Sequence, residues 1–282
     1  MKKILVPIDF SETSLHALRL ACQLAVRVEA AVCMLHSYQI VPYDLPVSEY
    51  AFITPVVDPG KIEQELSESM QQLKEKLQQE PRFSGLQIST RFFPGPVIPT
   101  ILQLAEEEAA DLIVMGTMGA GGWKEMAIGS NTEHIIRHAP CPVLVVPENA
   151  AELKVERVLV PTTLHPDQEK VFEIVKLWQD VFGFDVEALF VGDPFEATPG
   201  GNIEAEKNRL IEAVGLRHVY LHLNTTKNKP ENVIRKYADE AGSDLVIMGT
   251  HQRHGIAHLL FGSMTENTAN HSKIPVLAIP IR

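Results

Sequence analysis

Short apolar runs separated by helical patterns fill both halves of the 282-residue chain. In the first half Ile4–Ile8 and Val32–His36 read as strands, and Leu18, Ala21, Cys22 and Ala25 mark one face of the helix between them. Ile62, Leu66, Met70, Leu73 and Leu77 mark a second helix face, and Leu86–Phe92 alternates as a strand does. Ile98–Ala110 reads as helix, Leu112–Met115 as a buried strand, Ser130–His138 as helix and Val143–Val146 as the last strand. The β-α-β-α-β-α-β-α-β order predicts an α/β fold, a parallel sheet with helices on both faces. In the second half the expected strands are Val158–Val160, Val186–Val191, His218–Leu223, Leu245–Met248 and Val276–Ile279. Its expected helices are Asp167–Phe182, Ile203–Val214, Asn232–Ala241 and Ser263–His271.

The strands also repeat in sequence. Ile4-Leu5-Val6-Pro7 returns as Val158-Leu159-Val160-Pro161, and Pro142-Val143-Leu144-Val145-Val146-Pro147 returns as Pro275-Val276-Leu277-Ala278-Ile279-Pro280, the mark of a duplicated domain. We therefore expect one domain at 1–147, a charged linker at 148–156 and a second domain at 157–282. Leu5 recurs as Leu159 and Gly116 as Gly249, so the first half carries about 21 extra residues between those points. They fall in Ile40–Gly60, whose four prolines predict a long irregular loop. Its Tyr43, Tyr50 and Phe52 would be buried either against the protein or a partner, or over a ligand.

A net charge of -11 and a pI near 5.5 argue against a broad nucleic-acid or anionic-membrane surface, while a phosphorylated ligand in one local pocket stays compatible. No apolar run reaches membrane-spanning length, and Pro7 and Asp9 interrupt the first one too early for a signal peptide. Cys22, Cys33 and Cys141 sit among apolar neighbours without a Cys-x-x-Cys pair, which fits core thiols in a reducing compartment and a cytoplasmic protein.

One motif is written twice. Asp111-Leu-Ile-Val-Met-Gly116-Thr-Met-Gly119 is followed after nine residues by Gly129-Ser130-Asn-Thr-Glu133. Asp244-Leu-Val-Ile-Met-Gly249-Thr-His-Gln252 is followed after nine by Gly262-Ser263-Met-Thr-Glu266. Each copy is a buried strand ending in glycine, a loop, then a Gly-Ser that opens a helix, where backbone N–H groups and the helix dipole favour an anion. A plain structural reading stands beside this one: Ser130 caps a helix and the glycines make turns. Asp9, at the end of the first strand, either helps cap the next helix or accepts hydrogen bonds from the nucleoside end of a ligand. In an open α/β sheet the ligand crevice lies beyond the carboxyl ends of the strands, and the first half would deliver Asp9, His36, Ser37 and Gly116 there.

Lys3-Ile-Leu-Val-Pro-Ile-Asp9-Phe-Ser11, Leu35-His36, the glycine motif and Cys141-Pro-Val-Leu-Val-Val-Pro147 make both halves resemble universal stress protein domains in tandem. The resemblance implies two doubly wound five-stranded parallel sheets of strand order 3-2-1-4-5, dimerisation through the last strands, and binding of ATP or a related adenine nucleotide, with or without Mg2+, where the glycine motif is kept. Carried over by position, it implies that Pro7, Ile8, Asp9 and Ser37 line the adenosine pocket. Met115, Gly116, Gly119, Gly129, Ser130 and Asn131 would hold ribose and phosphates. The corresponding positions of the second half are Thr163, Val191, Met248, Gly249, Gln252, Gly262 and Ser263. Thr163 cannot supply the carboxylate of Asp9, and Gln252 obstructs where Gly119 would admit phosphate, so this second site is expected to be degenerate.

His251, His254, His258 and His271 lack Cys or carboxylate partners at firm spacing, and no metal is assigned to them. No Gly-x-Ser-x-Gly or Walker lysine is present, so a committed enzyme is not expected. Three functions stay open: a nucleotide-binding stress or signalling protein, a scaffold that acts through protein partners without nucleotide, and a slow ATPase. The apolar edge strands Leu144–Val146 and Leu277–Ile279 are expected to pair with each other within the chain, giving a pseudo-dimer in one polypeptide, with a homodimer of chains as a further step.

Overall fold

The computed structural model describes residues 1–38, 59–117, 130–148, 150, 152–191, 202–224, 228–251, 264–269 and 272–281. The first half runs β1 (Lys3–Pro7), α1 (Glu12–Val28), β2 (Ala31–Tyr38), α2 (Pro59–Gln78), β3 (Ile88–Pro94), α3 (Val97–Glu107), β4 (Leu112–Gly116), α4 (Ser130–His138) and β5 (Val143–Val146). The second runs β6 (Arg157–Thr162), α5 (Glu169–Phe182), β7 (Asp185–Phe190), α6 (Ile203–Val214), β8 (Val219–Leu223), α7 (Pro230–Ala241), β9 (Leu245–His251), a helical stretch at 264–269 and β10 (Val276–Ile281). Most of the proline-rich loop, together with Tyr43, Tyr50 and Phe52, lies outside the described residues, as do His254, His258 and His271.

Each half forms a parallel sheet of order 3-2-1-4-5, and the two join into one ten-stranded sheet, β3-β2-β1-β4-β5-β10-β9-β6-β7-β8. The join is the antiparallel pair β5–β10, with Val143 opposite Ala278, Leu144 opposite Leu277 and Val145 opposite Val276. Two open edges would have exposed unpaired backbone groups; pairing them within the chain removes both.

Helix boundaries moved where proline acts. Pro166 lacks an N–H and opens a 3-10 turn (Pro166–Gln168), so α5 begins at Glu169 rather than at Asp167. Pro230 occupies the first turn of α7, where its fixed φ suits a helix start, so that helix begins two residues before the expected Asn232. β2 runs on to Tyr38 because β3 stays in register with it as far as Pro94.

Side-chain alternation sends each strand's residues to two apolar layers, and both layers run through the whole sheet. On one face Leu144 and Leu277 pack in a layer with α1 and α5 residues such as Leu18, Leu24, Val171 and Trp178. On the other, Val143, Val145, Val276 and Ala278 share a layer with Leu104, Ile135, Ile234 and Met264. Cys22, Cys33 and Cys141 are buried and form no disulfide, and burial pushes the Cys22 thiol up to about 12. No helix among the described residues is long and apolar enough to cross a membrane.

Glu108 ties three elements of the first half together. It accepts from Lys3 Nζ at 2.6 Å and from Arg91 Nε and Nη2 at 3.1 Å each. The Lys3 hydrogen bond chiefly holds its carboxyl below the ordinary range. A lowered folded-state pKa stabilises above the unfolded value and is lost as pH falls through the folded one. Glu108→Gln should therefore cost about 0.5 to 1 kcal/mol at pH 7, and in acid unfolding the difference from the wild type should begin to shrink near pH 4.5 and go on shrinking as pH falls through the lowered value of Glu108.

Candidate functional site

Helix α1 is started by Ser11, whose Oγ accepts from the Ser14 N–H at 3.2 Å while Ser14 Oγ donates to the Ser11 carbonyl at 3.0 Å. Asp9 stands one step behind that cap. Its Oδ1 accepts from the Ser11 N–H at 3.0 Å and from Ser11 Oγ at 2.5 Å, and its own N–H faces Ser14 Oγ at 3.4 Å. The carboxylate thus braces the cap and remains solvent-exposed at the mouth of the strand ends, which makes the two roles foreseen for it compatible. Phe10 takes a left-handed backbone, φ 62°, to make this turn, and its ring lies against that of His36 at 5.1 Å.

His36 locks the crevice wall. Ile8 N–H donates to the Leu35 carbonyl at 2.7 Å, and His36 Nδ1–H donates to the Ile8 carbonyl at 2.7 Å, which fixes its tautomer and ties the β1 end to β2. Ser37 Oγ donates to the Gly95 carbonyl at 2.8 Å and links β2 to the turn after β3. Pro7 is half-buried, and Ile8 and Met115 are buried in the apolar layers on the two faces of the sheet.

Gly116 ends β4 against α1. A Cβ there would lie 2.9 Å from the Thr13 carbonyl oxygen and 3.0 Å from its carbon, a backbone obstacle that cannot swing aside, so glycine is needed for the close approach. The Gly116 carbonyl accepts from Thr132 Oγ1 at 3.1 Å, which pins the first turn of α4 to the strand end. α4 opens at Ser130, with Asn131 exposed next to it. Gly119 and Gly129 lie outside the described residues, and so do Gln252, Gly262 and Ser263 of the second copy.

The second half keeps the frame and changes the mouth. Thr265 Oγ1 donates to the Gly249 carbonyl at 3.0 Å, as Thr132 does to Gly116, so that contact belongs to the architecture of both copies. Leu164 has φ 58°, matching Phe10. Yet Thr163 replaces Asp9, and its N–H donates to Gln168 Oε1 at 3.0 Å, while Thr162 Oγ1 donates to the same oxygen at 2.6 Å. Thr162 and Gln168 are buried, so this polar knot is sealed inside. At the positions of His36 and Ser37 stand Phe190 and Val191, 1% and 2% exposed. Met248 is buried, and a Cβ on Gly249 would meet Ile281 Cδ1 at 2.5 Å.

Sequence reasoning missed Phe10, Thr132, Gln168 and Phe190. Thr132 and Thr265 could have been found, because the threonine recurs three residues after the motif's last glycine in both copies. Gln168 carried no signal, since Pro-Asp-Gln-Glu-Lys reads as a solvated helix start.

One charged cluster crosses the join between the halves. Arg137 of α4 donates through Nε to Glu266 Oε1 at 2.9 Å and through Nη2 to Glu266 Oε2 at 2.6 Å, and Nη2 also reaches Glu133 Oε1 at 3.4 Å. The Glu266 side chain is 5% exposed. Burial raises its carboxyl above the ordinary value against the pull of Arg137, and nearby Glu133 adds to the rise; Glu266 in turn raises the guanidinium of Arg137.

A doubled α/β sheet with a glycine-ended strand and a Thr-pinned helix at the crevice of each half defines a tandem protein of one family. Residues 1–147 and 154–280 both match the model of the Universal stress protein family, and the chain belongs to it. A universal stress protein of Methanocaldococcus jannaschii is 33% identical over 147 residues, which are 51% of this chain and 81% of the relative. One of Mycolicibacterium smegmatis is 24% identical over an alignment that covers 98% of this chain and 96% of the relative. Among solved structures, a universal stress protein from Archaeoglobus fulgidus shares the fold with a TM-score of 0.70 at 19% identity, over 99% of this chain and 96% of that one.

Proposed function

We propose that this chain is an adenine-nucleotide-binding stress or signalling protein in which the first half takes ATP or a close relative and the second half serves as architecture. The observation that carries this reading is the asymmetry of the two crevice mouths. Asp9, His36 and Ser37 present polar groups at the strand ends of the first half, where the second half has Thr163, Phe190 and Val191. The donor and acceptor set fits such a ligand. A carboxylate accepts from hydroxyl or amino groups of a nucleoside, and the first turn of α4 offers backbone N–H groups to phosphate. In a chain of net charge -11, such backbone donors let an anion bind without a basic surface.

The protein acts by occupancy rather than as a committed enzyme: bound nucleotide changes what the surface offers to protein partners. Calorimetric titration with ATP, with and without Mg2+, should give one equivalent per chain. Gly119→Gln, which writes the second copy's residue into the first, should weaken binding at least tenfold. Absence of binding by the wild type, or an affinity unchanged by the substitution, would favour the scaffold reading instead.

A further inference from the structure

The charged cluster at the join has a geometry that reaches the first turn of α4. Ser130, Thr132 and Glu133 all lie in that turn. On one side Thr132 Oγ1 holds it to the Gly116 carbonyl. On the other, Glu133 shares the Arg137 guanidinium with Glu266, a residue of the second half. Arg137 makes a two-pronged contact with Glu266, an arrangement that fixes direction as well as distance. The Glu266 side chain is almost wholly buried, so its carboxylate cannot fall back on water if Arg137 is lost. The second half thus places one end of a strut against the helix that opens the first half's crevice.

We propose that Glu266 is a positioning residue for the first half's ligand, acting through Arg137 and Glu133 to hold the first turn of α4 where its N–H groups meet phosphate. The proposal rests on the nucleotide reading above. It gives the degenerate copy a part in the working site. It also separates two portions of the ligand. Phosphate contacts depend on the α4 turn and hence on Glu266, whereas the nucleoside end is met by Asp9, His36 and Ser37, whose hydrogen bonds lie on β1, β2 and the turns beside them.

The test compares ATP with adenosine by calorimetry on the full chain, for the wild type, Glu266→Gln, Arg137→Gln and the double variant. Glu266→Gln should weaken ATP about tenfold, a typical coupling between sites, and leave adenosine within about twofold. The sign is diagnostic. Removing a negative charge strengthens binding of an anion if the carboxylate acts only at long range, whereas loss of the strut weakens it. The double variant leaves no buried charge unpaired, so it decides the matter if either single variant fails to fold, and it should show the same selective loss of ATP. The double variant should lose no more than either single one, since both break one strut. Tighter ATP binding by Glu266→Gln, equal losses for ATP and adenosine, or no change in either single variant would overturn the proposal. If the wild type binds neither ligand, the nucleotide reading itself falls, a result distinct from a wild type that binds and variants that bind as well.

Discussion

Leu277→Ala should lower the unfolding free energy by about 3 kcal/mol, toward the middle of the range for a fully buried leucine truncated to alanine. Leu277 is 0% exposed and sits in β10 directly opposite Leu144 of β5, beneath a layer to which α1 and α5 both contribute. The lost methyl groups would leave a cavity that two antiparallel strands, held by their own hydrogen bonds, cannot close by sliding together. Because the apolar layers continue from one half into the other, the weakened protein should still unfold in one transition. Urea denaturation followed by both fluorescence and far-ultraviolet circular dichroism tests this. Two separated transitions, or a loss below about 1 kcal/mol, would show that the join is a looser contact than the packing indicates.

The second large effect is on binding. Asp9→Thr combined with Ser37→Val makes the first crevice carry the residues of the second, and we expect ATP affinity to fall about a hundredfold, the combined loss of a charged and a neutral hydrogen bond. The exchange should cost the fold only the cap brace of Asp9 and the Ser37 hydrogen bond to Gly95, a modest loss beside the buried core. A melting temperature lowered by only a few degrees, together with the lost affinity, would separate a site effect from unfolding. A double variant that binds ATP within threefold of the wild type would remove Asp9 and Ser37 from the site.

The element order and sheet were legible because most strands are apolar runs, several of them closed by Pro or Gly, and the helices keep an apolar stripe. Chain duplication made the antiparallel join of β5 and β10 readable as well, since two apolar edge strands of the same kind demand a partner. Side-chain roles at the crevice were only half legible. Asp9, Ser37 and Gly116 stood out by type and place, but the left-handed Phe10 that turns the chain after β1 is an aromatic at a position where sequence habit expects Gly or Asn. Gln168 and Glu266 look solvated in sequence, because each follows a turn or opens a helix; Gln168 folds back on the strand end 6 residues before it, and Glu266 meets a helix of the other half. Thr162 supplies the reason for one, and Arg137 for the other.

The antiparallel sense of the β5–β10 pair has a geometric corollary. Parallel strands within each half all end at one rim of their sheet, so reversing one half against the other sends the two crevices to opposite rims. The molecule is therefore polar along its strands: one pole carries Asp9 and Ser37, and the other Thr163 and Val191. A partner that touched the first pole would therefore have to reach along the strands to the opposite rim to read the second as well.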